Sequence, residues 1–158
     1  MLLAVVGLGL LLFSFVARQA AAEPASELRI LFIGNSFTFY HDLPAMVSQL
    51  AAAGGQRPLH YECETPGGYM LEQHWKEGKA ATKIRSGRWD FVVLQDQSQA
   101  PLSRREAMFE YGKKFAAEIN QQRAETIFYQ TWAPQNKPEQ QTAISQAYER
   151  LAKESNAR

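Results

Sequence analysis

Apolar and polar positions change period several times along this chain, and the changes mark its elements. Leu28–Ile33 carries the run Ile30-Leu31-Phe32-Ile33, which predicts a buried strand entering the turn Gly34-Asn35-Ser36-Phe37. Leu43, Met46, Val47 and Leu50 then recur at i, i+3, i+4 and i+7, the spacing of one apolar helix face. Pro44 suits the first turn of that helix, and Gly54-Gly55 suits its end. Residues 58–64 predict a second strand with Leu59, Tyr61 and Cys63 on one face, followed by the loop Thr65-Pro66-Gly67-Gly68. Helical spacing returns over residues 70–84, broken near Gly78. Residues 89–95 hold Phe91-Val92-Val93-Leu94, the continuous apolar run of a central parallel strand. Ser103 and Glu106 make a capping-box pattern ahead of a helix continued by Met108, Tyr111, Phe115 and Ile119. A fourth strand is predicted over residues 126–130. Pro138 then opens a last helix with Ile144, Tyr148 and Leu151 on its apolar face.

Strands alternating with helices imply an α/β fold with a parallel sheet covered by helices on both faces. The loops at the carboxyl ends of such strands are where ligands bind. No internal repeat and no linker divides residues 23–158, so they read as one domain. Four strands are present, and no strand follows the last helix.

Composition narrows the function classes. The chain has 158 residues and a formal net charge of +1, and no basic stripe alternates with aromatics, so nucleic acid is not an expected partner. Residues 2–16 are apolar apart from Ser14, and Ala17-Arg18-Gln19-Ala20-Ala21-Ala22 follows with small residues suited to cleavage after Ala22. Residues 1–22 therefore read as an export signal, which places the protein in the periplasm or outside the cell. The apolar run is shorter than the roughly 20 residues of a membrane span, so no stable membrane insertion is expected after cleavage. No Lys or Arg precedes that run, and a retained anchor is the alternative reading. Removing residues 1–22 takes away Arg18 and leaves 16 basic and 16 acidic residues. Cys63 is the single cysteine, so no internal disulfide is available, and its alternating segment predicts burial rather than reactivity.

The candidate chemistry gathers at one sheet edge. Ser36 stands where the first strand turns into a helix, with Gly34 permitting a tight turn. A serine there can act as a nucleophile if a base takes its proton, and its own N–H can face a developing oxyanion. The plain reading is that Ser36 caps a short helix. Gly67-Gly68 follows the second strand, where bare backbone can approach a ligand and donate an N–H. Gln95-Asp96-Gln97-Ser98 follows the third, where a side-chain amide can donate to the same point. A serine converging with two donors is the arrangement that acyl transfer requires.

The pattern resembles the SGNH/GDSL hydrolase superfamily, in particular a secreted esterase-like branch whose first block reads Gly-Asn-Ser-Phe. The matching stretches are residues 30–40, 67–75, 89–101 and 129–133, in the family's order. The resemblance implies a flavodoxin-like three-layer α/β/α fold and a serine hydrolase that needs no metal or cofactor. It implies Ser36 as nucleophile and, through its N–H, as one oxyanion donor. Gly68 is implied as the second donor, with Gly67 as the fallback. Gln97 stands in the place of the third-block asparagine, with the same donor on a longer side chain. The implied substrates are acyl or acetyl esters, on small molecules or on carbohydrate or lipid.

The family's last block, an Asp-x-x-His that supplies the general base and its orienting Asp, has no counterpart here. The three histidines are His41, His60 and His74, and none has an Asp three residues before it. His41 sits near the turn but in the same loop as Ser36, where reaching the hydroxyl is difficult. His74 is expected at the surface or half-buried, and His60 on the strand face opposite Leu59 and Tyr61. The sequence therefore reads as truncated before a fifth strand and the final block, and little or no activity is expected of it. An open apolar edge at the fourth strand, with Ile127 and Tyr129, is expected to invite aggregation. The rival reading is a non-catalytic module that binds a sugar or an anion, with Trp75, Trp89 and Trp132 as candidate stacking faces.

Overall fold

The computed structural model describes residues 27–158. The expected export signal, residues 1–22, lies outside them. The four strands are β1 (Leu28–Ile33), β2 (Leu59–Glu64), β3 (Phe91–Leu94) and β4 (Glu125–Phe128). All neighbours pair in parallel, in the order β2-β1-β3-β4. The chain moves from β1 outward to β2, then crosses back over β1 to β3. That reversal puts the topological switch point between the carboxyl ends of β1 and β3, the crevice where open α/β sheets bind ligands.

Helices α1 (Ser36–Phe39) and α2 (Leu43–Ala53) join β1 to β2, with a 3₁₀ turn at Tyr40–Asp42 between them. Helices α3 (Leu71–Glu77) and α4 (Lys79–Ser86) join β2 to β3, and Gly78 between them takes φ 77°, the left-handed geometry that ends α3. Helices α5 (Ala100–Ser103) and α6 (Arg105–Gln121) lead to β4, and α7 (Gln141–Ser155) follows it. Leu31, Ile33, Val92, Leu94 and Phe128 form one core with Leu71 and Ile84 of α3 and α4, Phe115 and Ile119 of α6, and Ile144 and Leu151 of α7. On the other sheet face Ile30 and Phe32 are buried, whereas Val93 and Ile127, in register with Phe32, are only half-buried. Helix α2 packs against β2 and leaves the β3–β4 end of that face thinly covered.

Several expectations need correction. The apolar stripe of α2 is only partly inward: Pro44 is buried and Val47 half-buried, but Met46 and Leu50 are 47% and 69% exposed. A helix packed on one edge strand covers a narrower stripe than one lying over the middle of a sheet. The capping box at Ser103 and Glu106 does not form. Pro101 sits at the start of α5, so Ser103 falls inside a helical turn, and its hydroxyl donates to the Gln99 carbonyl at 3.0 Å. Pro138 opens a 3₁₀ turn, Pro138–Gln140, rather than α7 itself. Cys63 is half-buried on β2, and burial pushes its thiol up. The outer edge of β4 is not bare: the Arg158 N–H donates to the Thr126 carbonyl at 3.1 Å, and the Phe128 N–H donates to the Arg158 carbonyl at 2.7 Å. No helix among the described residues is long and apolar enough to cross a membrane.

Candidate active site

The turn after β1 is built by close approach. A Cβ on Gly34 would lie 2.5 Å from Thr38 Oγ1 and 2.7 Å from Gln95 Oε1, so only glycine fits beneath those side chains. Asn35, buried, caps α1: its Oδ1 accepts from the Phe37 N–H at 3.1 Å. Its Nδ2 donates to the Tyr69 carbonyl at 2.7 Å, which ties the turn to the loop after β2. Its backbone N–H donates to Gln95 Oε1 at 3.0 Å, which ties the turn to the end of β3. Asn35, not Ser36, is therefore the cap. Ser36 is left at the start of α1, half-buried, and its N–H and Oγ have no hydrogen-bond partner among the described residues.

The neighbouring loops converge on the same edge. Gly68 is exposed with φ 77°, a conformation that favours glycine, and no heavy atom lies within 4 Å of where its Cβ would stand. Its N–H, like that of Ser36, has no acceptor among the described residues. Gln97 is held within its own loop: Nε2 donates to Ser98 Oγ at 3.0 Å, and Oε1 accepts from the Gln99 N–H at 2.8 Å. An amide nitrogen carries two N–H donors, so one remains uncommitted. The loop after β4 joins this edge through Thr131 Oγ1, which donates to the Ser98 carbonyl at 3.2 Å. It also brings Trp132 onto Phe37, ring centroids 4.6 Å apart and planes 14° from parallel. An open cavity of about 500 Å³ lies between residues 36–46 and the chain after β4, with Ser36, Phe37, His41 and Trp132 on its wall. A second cavity, about 820 Å³, lies at the opposite, amino end of the sheet around Asp90, Asn120 and Glu125.

A parallel 2-1-3-4 sheet with a serine turn after the first strand has close structural counterparts. A protein from Slackia heliotrinireducens assigned to the SGNH hydrolases matches with TM-score 0.71 over 84% of this chain and 77% of its own, at 21% identity. AlinE4, an SGNH-hydrolase family esterase, matches with TM-score 0.63 over 84% and 75%, at 14% identity. The acetyl xylan esterase AlAXEase matches with TM-score 0.63 over 82% and 75%, at 15% identity. The chain has the SGNH hydrolase fold. No protein-family model matches the sequence, and no curated protein does.

Within this SGNH fold a buried polar network lies under the serine turn, and sequence reading missed it. Gln95, fully buried, accepts from both the Asn35 N–H and, at 2.9 Å, Thr38 Oγ1, while its Nε2 donates to the Asp96 carbonyl. Asp96, also buried, accepts through Oδ1 from the Gln97 N–H at 2.7 Å and the Leu71 N–H at 3.1 Å. Burial pushes its carboxyl up, and those two N–H groups oppose the shift. A trace of this was present in the sequence. Gln95 and Asp96 directly extend the apolar run of β3 with no turn residue between, so the strand carries them inside.

The histidines divide. His74 is 2% exposed, which corrects the expected surface position. Its Nε2–H donates to the Gly34 carbonyl at 2.8 Å, and burial holds its proton affinity below the ordinary imidazole value. It pins α3 to the serine turn and has no free Nε2 to serve as a base. His60 lies on β2. His41 shares the cavity with Ser36. His41 and Asp42 take φ 55° and 53°, left-handed for two successive non-glycine residues, and the Asp42 carboxylate accepts from the Ala45 N–H at 3.4 Å to start α2. Among the described residues no His, Asp or Glu hydrogen-bonds Ser36 Oγ, and no group of three or more His, Cys, Asp or Glu side chains converges as metal ligands do. The tryptophans divide as well. Trp75 packs edge-on against Phe115, Trp89 is buried, and Trp132 stands 48% exposed beside Ser36.

Proposed function

We propose that this chain carries the nucleophile and oxyanion side of an SGNH-type carboxylic-ester hydrolase. The supporting observation is Ser36 at the switch point, with its own N–H and that of Gly68 both lacking an acceptor among the described residues at the same sheet edge. In this reading Ser36 Oγ attacks the ester carbonyl, and its proton passes to a base. The N–H groups of Ser36 and Gly68, with the spare N–H of Gln97, hold the negative oxygen. The alcohol leaves with the electrons of the broken C–O bond and a proton returned by the base, and water then releases the acid from the Ser36 ester. No step calls for a metal or cofactor. The substrate is an ester of a small molecule or a glycan. With residues 1–22 as a cleaved export signal, the site of action is periplasmic or extracellular.

Among the described residues no base is placed on Ser36. We therefore expect the 158-residue chain alone to hydrolyse a short nitrophenyl ester no faster than its Ser36→Ala variant. Added imidazole can stand in for the base. Incubation with nitrophenyl acetate and imidazole, followed by peptide mass spectrometry, should locate an acetyl group on Ser36. An unlabelled Ser36 peptide would refute the nucleophile assignment, and Ser36-dependent turnover without imidazole would put His41 in the base's role. The lack of a paired base also favours a second reading, a non-catalytic binder of sugar or anion. Retained ligand binding without any Ser36 acylation would select it.

A further inference from the structure

The cavity at Ser36 has walls of one chemical kind. Phe37, Leu43, Met46, Tyr129 and Trp132 line it, and among the described residues the polar groups on its wall are those of Ser36, His41, the tyrosine hydroxyls and the Trp132 indole. Sugar recognition needs carboxylates, amides or guanidinium groups to satisfy several hydroxyls, and this wall offers none. The apolar character continues outward. Helix α2 has no charged residue from Leu43 to Ala53, and Tyr40 and Met46, both on the cavity wall, are 64% and 47% exposed. Exposed apolar side chains gathered on the wall of a cavity mark a binding surface. A volume of about 500 Å³ lies within the range of ligand pockets and far exceeds what a methyl group fills.

We propose that this cavity and its lip bind a medium-length apolar acyl chain, which makes Met46 and Trp132 specificity-determining residues. The assignment of the chain to the acyl side rests on the reading of Ser36 as nucleophile. Between the two steps of such a reaction the alcohol has departed, but the acyl group stays on Ser36 and needs its own place beside Oγ. The apolar cavity is that place. The loops of Gly68 and Gln97 serve the carbonyl oxygen. This sets the acyl side of the site apart from that of an acetyl-specific esterase.

Binding of decanoate below its micelle range tests the proposal, with acetate and xylobiose as comparators and titration calorimetry as the readout. Decanoate should bind saturably with a negative heat-capacity change, the mark of buried apolar surface, while acetate and xylobiose show no heat at the same concentrations. Met46→Lys and Trp132→Ala should each weaken decanoate about tenfold, as the loss of one apolar wall predicts. Met46 is about half exposed, so Met46→Lys should keep the circular dichroism and melting temperature of the parent, and Trp132→Ala, which also loses the stack on Phe37, should keep the circular dichroism. No decanoate binding, equal acetate binding, xylobiose binding that depends on Trp132, or indifference to Met46→Lys would overturn the proposal. The measurement needs no turnover. Absence of decanoate binding therefore leaves the nucleophile reading standing, and an unacylated Ser36 leaves the apolar site standing.

Discussion

Replacing Gln95 by Leu tests whether the buried network holds the serine turn. The two side chains are close in size, so packing changes little and the cost falls on hydrogen bonds. The substitution strips partners from the Asn35 N–H, Thr38 Oγ1 and the Asp96 carbonyl. The threonine hydroxyl can rotate to another acceptor, which leaves one backbone N–H and one backbone carbonyl buried without a partner. Each costs about 1–3 kcal/mol, so the loss should be about 3 kcal/mol. That is a large share of the roughly 5–15 kcal/mol that holds a domain together. With a urea m-value of about 2 kcal/mol/M, the midpoint should fall by about 1.5 M while m stays unchanged. A double-mutant cycle sharpens the test. Thr38→Val should cost less in the Gln95→Leu background than in the parent, because its partner has already gone, with a coupling of about 1 kcal/mol. A loss below about 1 kcal/mol, or strict additivity with Thr38→Val, would show that Gln95 fills space rather than fastening the turn.

Two further outcomes follow from the same structure. Burial lowers the folded proton affinity of His74 from its unfolded value of 6.5, so the unfolded chain takes up a proton first as pH falls, and stability is lost from about pH 6.5 downward. Asp96 works in the opposite sense, because its raised carboxyl protonates first in the folded state. The difference between the parent and His74→Gln in urea midpoint, at about pH 7.5 and about pH 5.5, isolates the histidine, and equal slopes would count against this account. Deleting Arg158 removes the backbone that pairs with Thr126 and Phe128 on the outer edge of β4. Light scattering at fixed concentration should then rise faster than in the parent, and an unchanged rate would mean that this edge is protected in another way.

The elements were legible in the sequence because strand and helix periods are local properties of the chain. β1 was read to the residue, and β3 was recognised from four consecutive apolar residues. The break at Gly78 was visible because only glycine takes that left-handed turn without strain. The serine turn and the glycine loop were visible for the same reason, since each depends on residues adjacent in the chain. Burial was harder to read. The apolar spacing of α2 identified a helix but not how much of its stripe the sheet would cover, and Met46 and Leu50 proved exposed.

The sequence by itself therefore determined the α/β class, the serine turn and the loops that gather at one edge, because short-range sterics and periodicity dictate them. Only the tertiary structure decided what supports the turn and what faces it. Gln95 lies 60 residues from Asn35 and His74 lies 40 from Gly34, and no local pattern reports a bond across such distances. The apolar cavity is likewise a product of docking, in which α2 and the loop after β4 bring Met46 and Trp132 to the same serine. A side chain's neighbours in a parallel sheet are set by crossovers, and crossovers join residues that the sequence keeps apart.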